Sequence, residues 1–388
     1  MNLKKNISIY IHIPFCVKRC GYCDFLTFAH ADKYHENYKN ALVREILVAK
    51  EHFQNHNIKT IFVGGGTPTV LPPHFLTEIF FALSTYNIDK NCEITVEANP
   101  GTLSLTTLRT LQNAGVNRLS MGLQAWQNTV LKKIDRNHTR QEFLKNYNNA
   151  RRVGFNNINI DMIFSLPYMD SEKQAFKYWK EGLQAVTQLK PEHLSLYSLI
   201  IEEKTLFHHK YEQGLLIPQT GELDRRMYHF SINYLAKKGY KHYEISNFSK
   251  PRKECEHNKV YWRSGDYIAF GLGAAGFENG VRYSNQRDLL TYTKKVLHMG
   301  YKYGDIIAEK TPITKEEAMG EFFYLGLRCI DGVNLKEFEK EFNVSVNKIF
   351  GNVIKENIEK GLLIQNSDTL KLTKTGLDIS NQVFADFI

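Results

Sequence analysis

Ile7, Ile9, Ile11 and Ile13 alternate with Ser8, Tyr10 and His12, and Pro14 closes the run. A period of two predicts a β-strand that gives way to a loop. Strand-like runs recur near 59–63, 92–97, 116–123, 157–163 and 193–199. Apolar residues at helical spacing fill the gaps, near 33–54, 74–86, 103–114, 139–152 and 172–189. Strands and helices in alternation predict a parallel sheet with crossover helices. Six such units predict an α/β fold, a closed or partial (β/α)6 barrel with function at the C-terminal ends of its strands.

Residues 200–250 carry less pattern, apart from a helix near 221–238. His208 and His209 are adjacent there, so their side chains diverge and do not form a ready metal pair. From about 310 the grammar changes. TPITKEEAMGEFFYLGLRCIDGVNLKEFEKEFN predicts two helices with a turn at Asp331-Gly332, and a helix near 345–360 follows. Two short strands around Asn366-Ser367-Asp368 and a final helix complete an α+β, winged-helix-like unit. The chain is thus read as a core at 1–240, a connecting region at 241–305 and a C-terminal domain at 306–388.

Of 388 residues, 43% are hydrophobic and 23% charged, which fits an ordinary globular chain. No apolar run is long enough for a membrane span. The opening MNLKKNISIY lacks the apolar core and cleavage site of a secretion signal, so a cytoplasmic location is expected. The six cysteines, three of them clustered, fit a reducing compartment better than a disulfide framework. The net charge of +9 is spread along the chain without a recognition motif, so no nucleic-acid partner is expected. Scattered cations would equally serve an anionic ligand such as a porphyrin with propionates.

Chemistry enters with Cys16-x-x-x-Cys20-x-x-Cys23, on the loop after the first strand. Thiolates favour zinc, copper(I) or an iron–sulfur cluster. Zinc usually wants a second ligand pair, and none follows. Three cysteines without a fourth suit a [4Fe–4S] cubane with one iron open to a small ligand. Gly64-Gly65-Gly66-Thr67-Pro68 follows the second strand and lets backbone approach a ligand, although a tight turn has the same sequence. Glu97 ends the third strand, placed to accept hydrogen bonds from a ribose or an ammonium. Gln124, Arg136 and Asp161 fall at or just beyond later strand ends, and together they make a small-molecule pocket. His257-Asn258-x-x-Tyr261-Trp262 combines an imidazole with aromatics, a set that can hold a planar macrocycle and its iron. A packed histidine with packed aromatics reads the same way, and Cys255 is a rival ligand. Gly271-x-Gly273 predicts a tight, closely packed turn.

YIHIPFCVKRCGYCDF, GGGTP, VEANP, GLQ, IDMIFSLP, HNKVYW and LTKTGLDISNQVF together resemble the oxygen-independent coproporphyrinogen III oxidase-like branch of the radical S-adenosylmethionine (SAM) proteins, over nearly the whole chain. The resemblance implies a [4Fe–4S] cluster on Cys16, Cys20 and Cys23. It implies SAM on Gly65, Gly66, Thr67, Glu97, Gln124, Arg136 and Asp161, with Tyr10 and Tyr22 nearby. The true oxidase has a further cysteine where this chain has Phe25, and an N-terminal extension where only fifteen residues precede Cys16. HNKVYW resembles instead the heme-binding signature of the branch's heme-chaperone members. That implies heme as cofactor, His257 beside it, and delivery to acceptor proteins, membrane respiratory enzymes among them. Oxidative decarboxylation of coproporphyrinogen and anaerobic heme breakdown are the alternatives.

Overall fold

The computed structural model describes residues 5–388. Its strands begin with β1 (Lys5–Ile13) and the short pair β2 (Phe15–Cys16) and β3 (Phe28–Ala29). β4 (His56–Gly65), β5 (Ile88–Ala98), β6 (Arg118–Gln124), β7 (Ile158–Phe164) and β8 (His193–Ser198) follow. Beyond them lie β9 (Lys241–Glu244), β10 (Asn247–Ser249), β11 (Tyr267–Phe270), β12 (Ala275–Glu278), β13 (Val281–Asn285) and β14 (Ile307–Pro312). The last three are β15 (Val333–Asn334), β16 (Leu363–Asn366) and β17 (Thr369–Leu372).

Twelve strands form one sheet, in the order β14-β13-β12-β11-β1-β4-β5-β6-β7-β8-β10-β9. β1, β4, β5, β6, β7 and β8 are parallel and neighbour each other in chain order. Helices at His35–Phe53, Pro73–Leu83, Leu105–Asn113, Arg140–Val153 and Glu172–Gln188 join them. This is the expected partial (β/α)6 barrel. It stays open because β11 takes the free side of β1, and β10 takes the free side of β8. Residues 241–312 therefore add strands to both edges of the same sheet.

The alternation in β1 has an unusual meaning here. Ile7, Ile9, Ile11 and Ile13 join the main apolar core with Leu42 and Ile46 of the first helix. Ser8 and His12 are buried too. The polar face of the strand looks into the barrel, where Thr60 donates to Ser8 (2.8 Å) and Tyr10 meets His12 (3.0 Å). Buried polar groups of this kind need partners, and the barrel supplies them from neighbouring strands.

One buried acid fastens β11 to the first helix. Glu45 accepts from the Gly271 amide (2.9 Å), the Tyr292 hydroxyl (2.6 Å) and Asn285 Nδ2 (3.2 Å). Gly271 is needed there: at φ 100° an added Cβ would fall 2.5 Å from the Tyr38 hydroxyl. Burial pushes the Glu45 carboxyl from an ordinary 4.5 up to about 7. Between those values the unfolded chain has already lost the proton that the folded chain keeps, so stability falls as pH rises and levels off above about 7. Glu45→Gln is expected to remove roughly 3 kcal/mol of that fall. Urea midpoints measured at about pH 5 and about pH 7.5 check this; an unchanged difference between them would contradict it.

The C-terminal domain has its own apolar core, in which Phe323 stacks on Phe387 with centroids 4.7 Å apart. Helices at Lys315–Gly326, Leu335–Phe342 and Val346–Glu359 pack around a sheet ordered β15-β17-β16. The wing thus has a third short strand beyond the two expected. Backbone bonds from Ile245 to Arg328 and from Ile330 to Tyr243 tie the domain to the β9 region. No helix among the described residues is long and apolar enough to cross a membrane.

Candidate functional site

The cysteine loop is clipped to its neighbours by backbone bonds. Phe28 N–H donates to Pro14, Gly66 N–H to Ile13 and Thr67 N–H to Phe15, at 2.7, 2.8 and 2.7 Å. The glycine loop thus lies directly against the cysteine loop. Gly65 has φ 103°, and a Cβ there would strike the His12 ring at 2.4 Å, so no larger residue fits. Cys16 Sγ is 3.5 Å from Thr67 Oγ1, and Arg136 Nη1 donates to Cys20 Sγ at 3.4 Å. Burial raises the Cys16 thiol and pushes Cys23 up to about 11. Metal loading must therefore release protons. Among the described residues no three His, Cys, Asp or Glu side chains converge on a single-ion position. A donor set of three thiols fits a cluster, three of whose irons would each take one thiolate, better than a lone zinc.

A cavity of about 390 Å³ opens over this loop. Eleven of the thirteen predicted residues line it: Cys16, Cys20, Cys23, Tyr22, Gly65, Gly66, Thr67, Glu97, Gln124, Arg136 and Asp161. Glu97 Oε2 accepts from the Gly65 amide (3.1 Å), while burial and nearby Asp161 push its carboxyl up to about 8. Asp161, also raised by burial, accepts from Ser120 (3.1 Å) and Asn159 (2.7 Å). Two carboxyls sharing one desolvated wall favour a cation or a diol between them. Gln124 turns into the pocket at φ 68°, a left-handed conformation that a non-glycine residue adopts at a cost. Arg136 Nη2 donates to the Gly122 carbonyl (2.7 Å) and to Asn99, and its buried Nε has no partner. This guanidinium is fit to meet an anionic carboxylate.

Tyr10 and His257 lie elsewhere. They line a smaller cavity of about 210 Å³ on the barrel floor, which shares Glu97, Ser120, Asp161 and Tyr197 with the first. Both ring nitrogens of His257 are engaged in this structure. Its Nδ1 meets Thr60 Oγ1 and its Nε2 meets the Tyr261 hydroxyl, both at 2.7 Å. Thr60 spends its own proton on Ser8, so the hydrogen-bond network assigns the ring proton to Nδ1. The one free lone pair, on Nε2, is then held by Tyr261, and burial lowers the ring to about 3, keeping it neutral. As placed, His257 has no lone pair to give iron. Cys255 is also buried, 3.5 Å from Glu93 Oε1, with its thiol pushed up to about 12.

Sequence reading missed Ser120, Asn99, Tyr197 and Ile200, which line the main cavity. Ser120 had a signal: Arg118, Ser120, Gly122 and Gln124 share one face of β6, the face that carries the pocket. Tyr197 and Ile200 lie at and beyond the end of β8, where a barrel places its ligand contacts.

Two family profiles match the chain, the radical SAM superfamily over residues 10–178 and the HemN C-terminal domain over 313–379. A heme chaperone HemW of Lactococcus lactis is 35% identical over 387 residues, covering 100% of this chain and 98% of the relative. The chain belongs to the HemW family of radical SAM proteins. Heme chaperone HemW of Bacillus subtilis is 36% identical over 383 residues, covering 98% and 99%. That of Escherichia coli is 32% identical, covering 98% of each chain. The structure of coproporphyrinogen III oxidase (HemN) from Escherichia coli, described as a radical SAM enzyme, superposes with a TM-score of 0.85 at 21% identity. It covers 99% of this chain and 90% of that one, which confirms the fold. HemW membership brings a [4Fe–4S] cluster and SAM as cofactors.

Proposed function

We propose that this chain binds heme and passes it to acceptor proteins, membrane respiratory enzymes among them, while holding a SAM-liganded [4Fe–4S] cluster in the cytoplasm. The observation that carries this reading is end-to-end similarity to several proteins named heme chaperones. Phe25 supports it. This side chain is 59% exposed at the mouth of the cavity, with Leu199 and Ile200 also on the rim, where the oxidase resemblance calls for a cysteine. An apolar side chain there cannot supply the further thiol that the oxidase resemblance calls for, which weighs against oxidase chemistry.

Cys16, Cys20 and Cys23 are the cluster ligands in this reading. Gly65, Gly66 and Thr67 offer backbone to SAM, Glu97 and Asp161 take its ammonium and ribose hydroxyls, and Arg136 takes its carboxylate, with Gln124, Tyr22 and Tyr10 completing the walls. With both groups bound, the site supplies one-electron chemistry at the sulfonium. His257, whose Nε2 Tyr261 holds, helps close the barrel floor and is not assigned to heme iron.

The test is anaerobic. Reconstituted protein is given SAM and reductant, with heme or coproporphyrinogen III in parallel. Stoichiometric heme binding without porphyrin product is the expected outcome. Decarboxylated porphyrin with 5′-deoxyadenosine would instead make the chain an oxidase. Loss of the heme ring with consumption of SAM would make it a degradative enzyme.

A further inference from the structure

The Glu256–Trp262 helix looks two ways. His257, Asn258 and Tyr261 close the barrel floor, whereas Lys259 and Trp262 line a separate space. That space is a cleft of about 840 Å³ between this helix, β9 and the C-terminal domain. Small-molecule sites span about 300–1,000 Å³, so it is large enough for a macrocycle. Trp262, Phe322 and Val333 give it apolar wall. The Arg328 guanidinium lies 4.4 Å from the Trp262 ring centroid, and the indole N–H is buried without an acceptor. Lys241 and Lys259 are engaged by Asp331 (2.7 Å) and Glu256 (2.8 Å). Arg263 and Lys340 are the uncommitted cations of the cleft among the described residues. Glu337 and Glu341 line it as well, on the same helix as Lys340, which leaves Arg263 as the better seat for an anion. Cys329, a free and partly buried thiol, completes the lining.

We propose that this cleft, and not the barrel floor, holds ferric heme, with Cys329 on the iron and Arg263 on a propionate. The assignment rests on the heme-binding reading above. On binding, the Cys329 S–H bond breaks and an S–Fe bond forms in place of a water on iron. The proton passes to solvent, and no electron moves. Trp262 offers the macrocycle a stacking face, and Arg263 a charged hydrogen bond.

The experiment titrates ferric heme into the full-length protein and its Cys329→Ala, Arg263→Glu and His257→Ala variants, following the Soret band and electron paramagnetic resonance. Wild type is expected to show thiolate-ligated ferric heme. Cys329→Ala should lose that signature and bind roughly tenfold or more weakly. Arg263→Glu changes an exposed side chain, so folding is secure; it should weaken binding about tenfold with the signature intact. His257→Ala should leave the signature unchanged. Wild type that binds heme with neither Cys329→Ala nor Arg263→Glu having an effect would sink the cleft assignment alone. Loss of binding confined to His257→Ala would do the same. Wild type that binds no heme would overturn the carrier reading, and the cleft with it.

Discussion

Cys20→Ala is expected to leave the reconstituted protein with iron and acid-labile sulfide at background. The reason lies in how few thiols can reach the site. Cys92 is buried within β5, Cys255 is fully buried in the helix-capping position before Glu256, and Cys329 lines the distant-walled cleft by the C-terminal domain. None lines the cluster cavity, so none can stand in. Cys20 is also the sulfur that Arg136 donates to, so its loss removes a charged hydrogen bond to a ligand sulfur. The fold should survive. The loop is fastened by main-chain bonds from Phe28, Gly66, Thr67 and Phe207, none of which uses a thiol. A partly exposed loop substitution of this kind changes stability by about 0.5 kcal/mol or less. Cys16→Ala and Cys23→Ala should behave alike, and Cys92→Ala should keep wild-type iron. Stoichiometric iron and sulfide in Cys20→Ala, by chemical assay after anaerobic reconstitution, would show that the three-thiol assignment is wrong.

The barrel was legible because its parallel strands carry long, regular signals. The isoleucines of β1 announce the strand, and the carboxylate of Glu97 at the end of β5 falls where a barrel binds ligands. The polar half of each alternation held the less obvious message. In an open sheet Ser8, Thr60 and Ser120 would face water; here they line the lumen, and Thr60 is hydrogen-bonded to both Ser8 and His257. The edge strands were illegible for a different reason. β9 to β13 run only three to five residues, and β14 is exposed along most of its length. Their identity comes from pairing partners far along the chain, which local pattern does not encode. His257 shows the limit of a motif. A spacing of four places His257 and Tyr261 on one helical face and leaves Trp262 on another, but only once the segment is known to be a helix. Read without that phase, the signature puts all its residues around one ligand. The structure divides them between two cavities.

Arg136→Met is expected to weaken SAM binding roughly 10- to 100-fold while leaving iron content unchanged. A hydrogen bond to a charged group contributes about 1.5–3 kcal/mol, which converts to that range of affinity. The geometry makes Arg136 hard to replace. One guanidinium nitrogen holds Cys20 Sγ, another holds the Gly122 carbonyl and Asn99, and Nε is buried with no partner. The side chain is therefore fixed from two sides before any ligand arrives, and a preorganised fork loses little freedom on meeting a carboxylate. Lysine keeps the charge but not the fork, so Arg136→Lys should recover only part of the affinity. A second readout separates this role from mere packing. Hydrogen bonds to cluster sulfurs raise reduction potential, so removing the one to Cys20 should lower it. Equilibrium binding of SAM to the anaerobic protein and a redox titration of the cluster would be run on the same samples. A SAM Kd within about twofold of wild type, with the potential unmoved, would show that Arg136 braces the loop and does not meet the ligand.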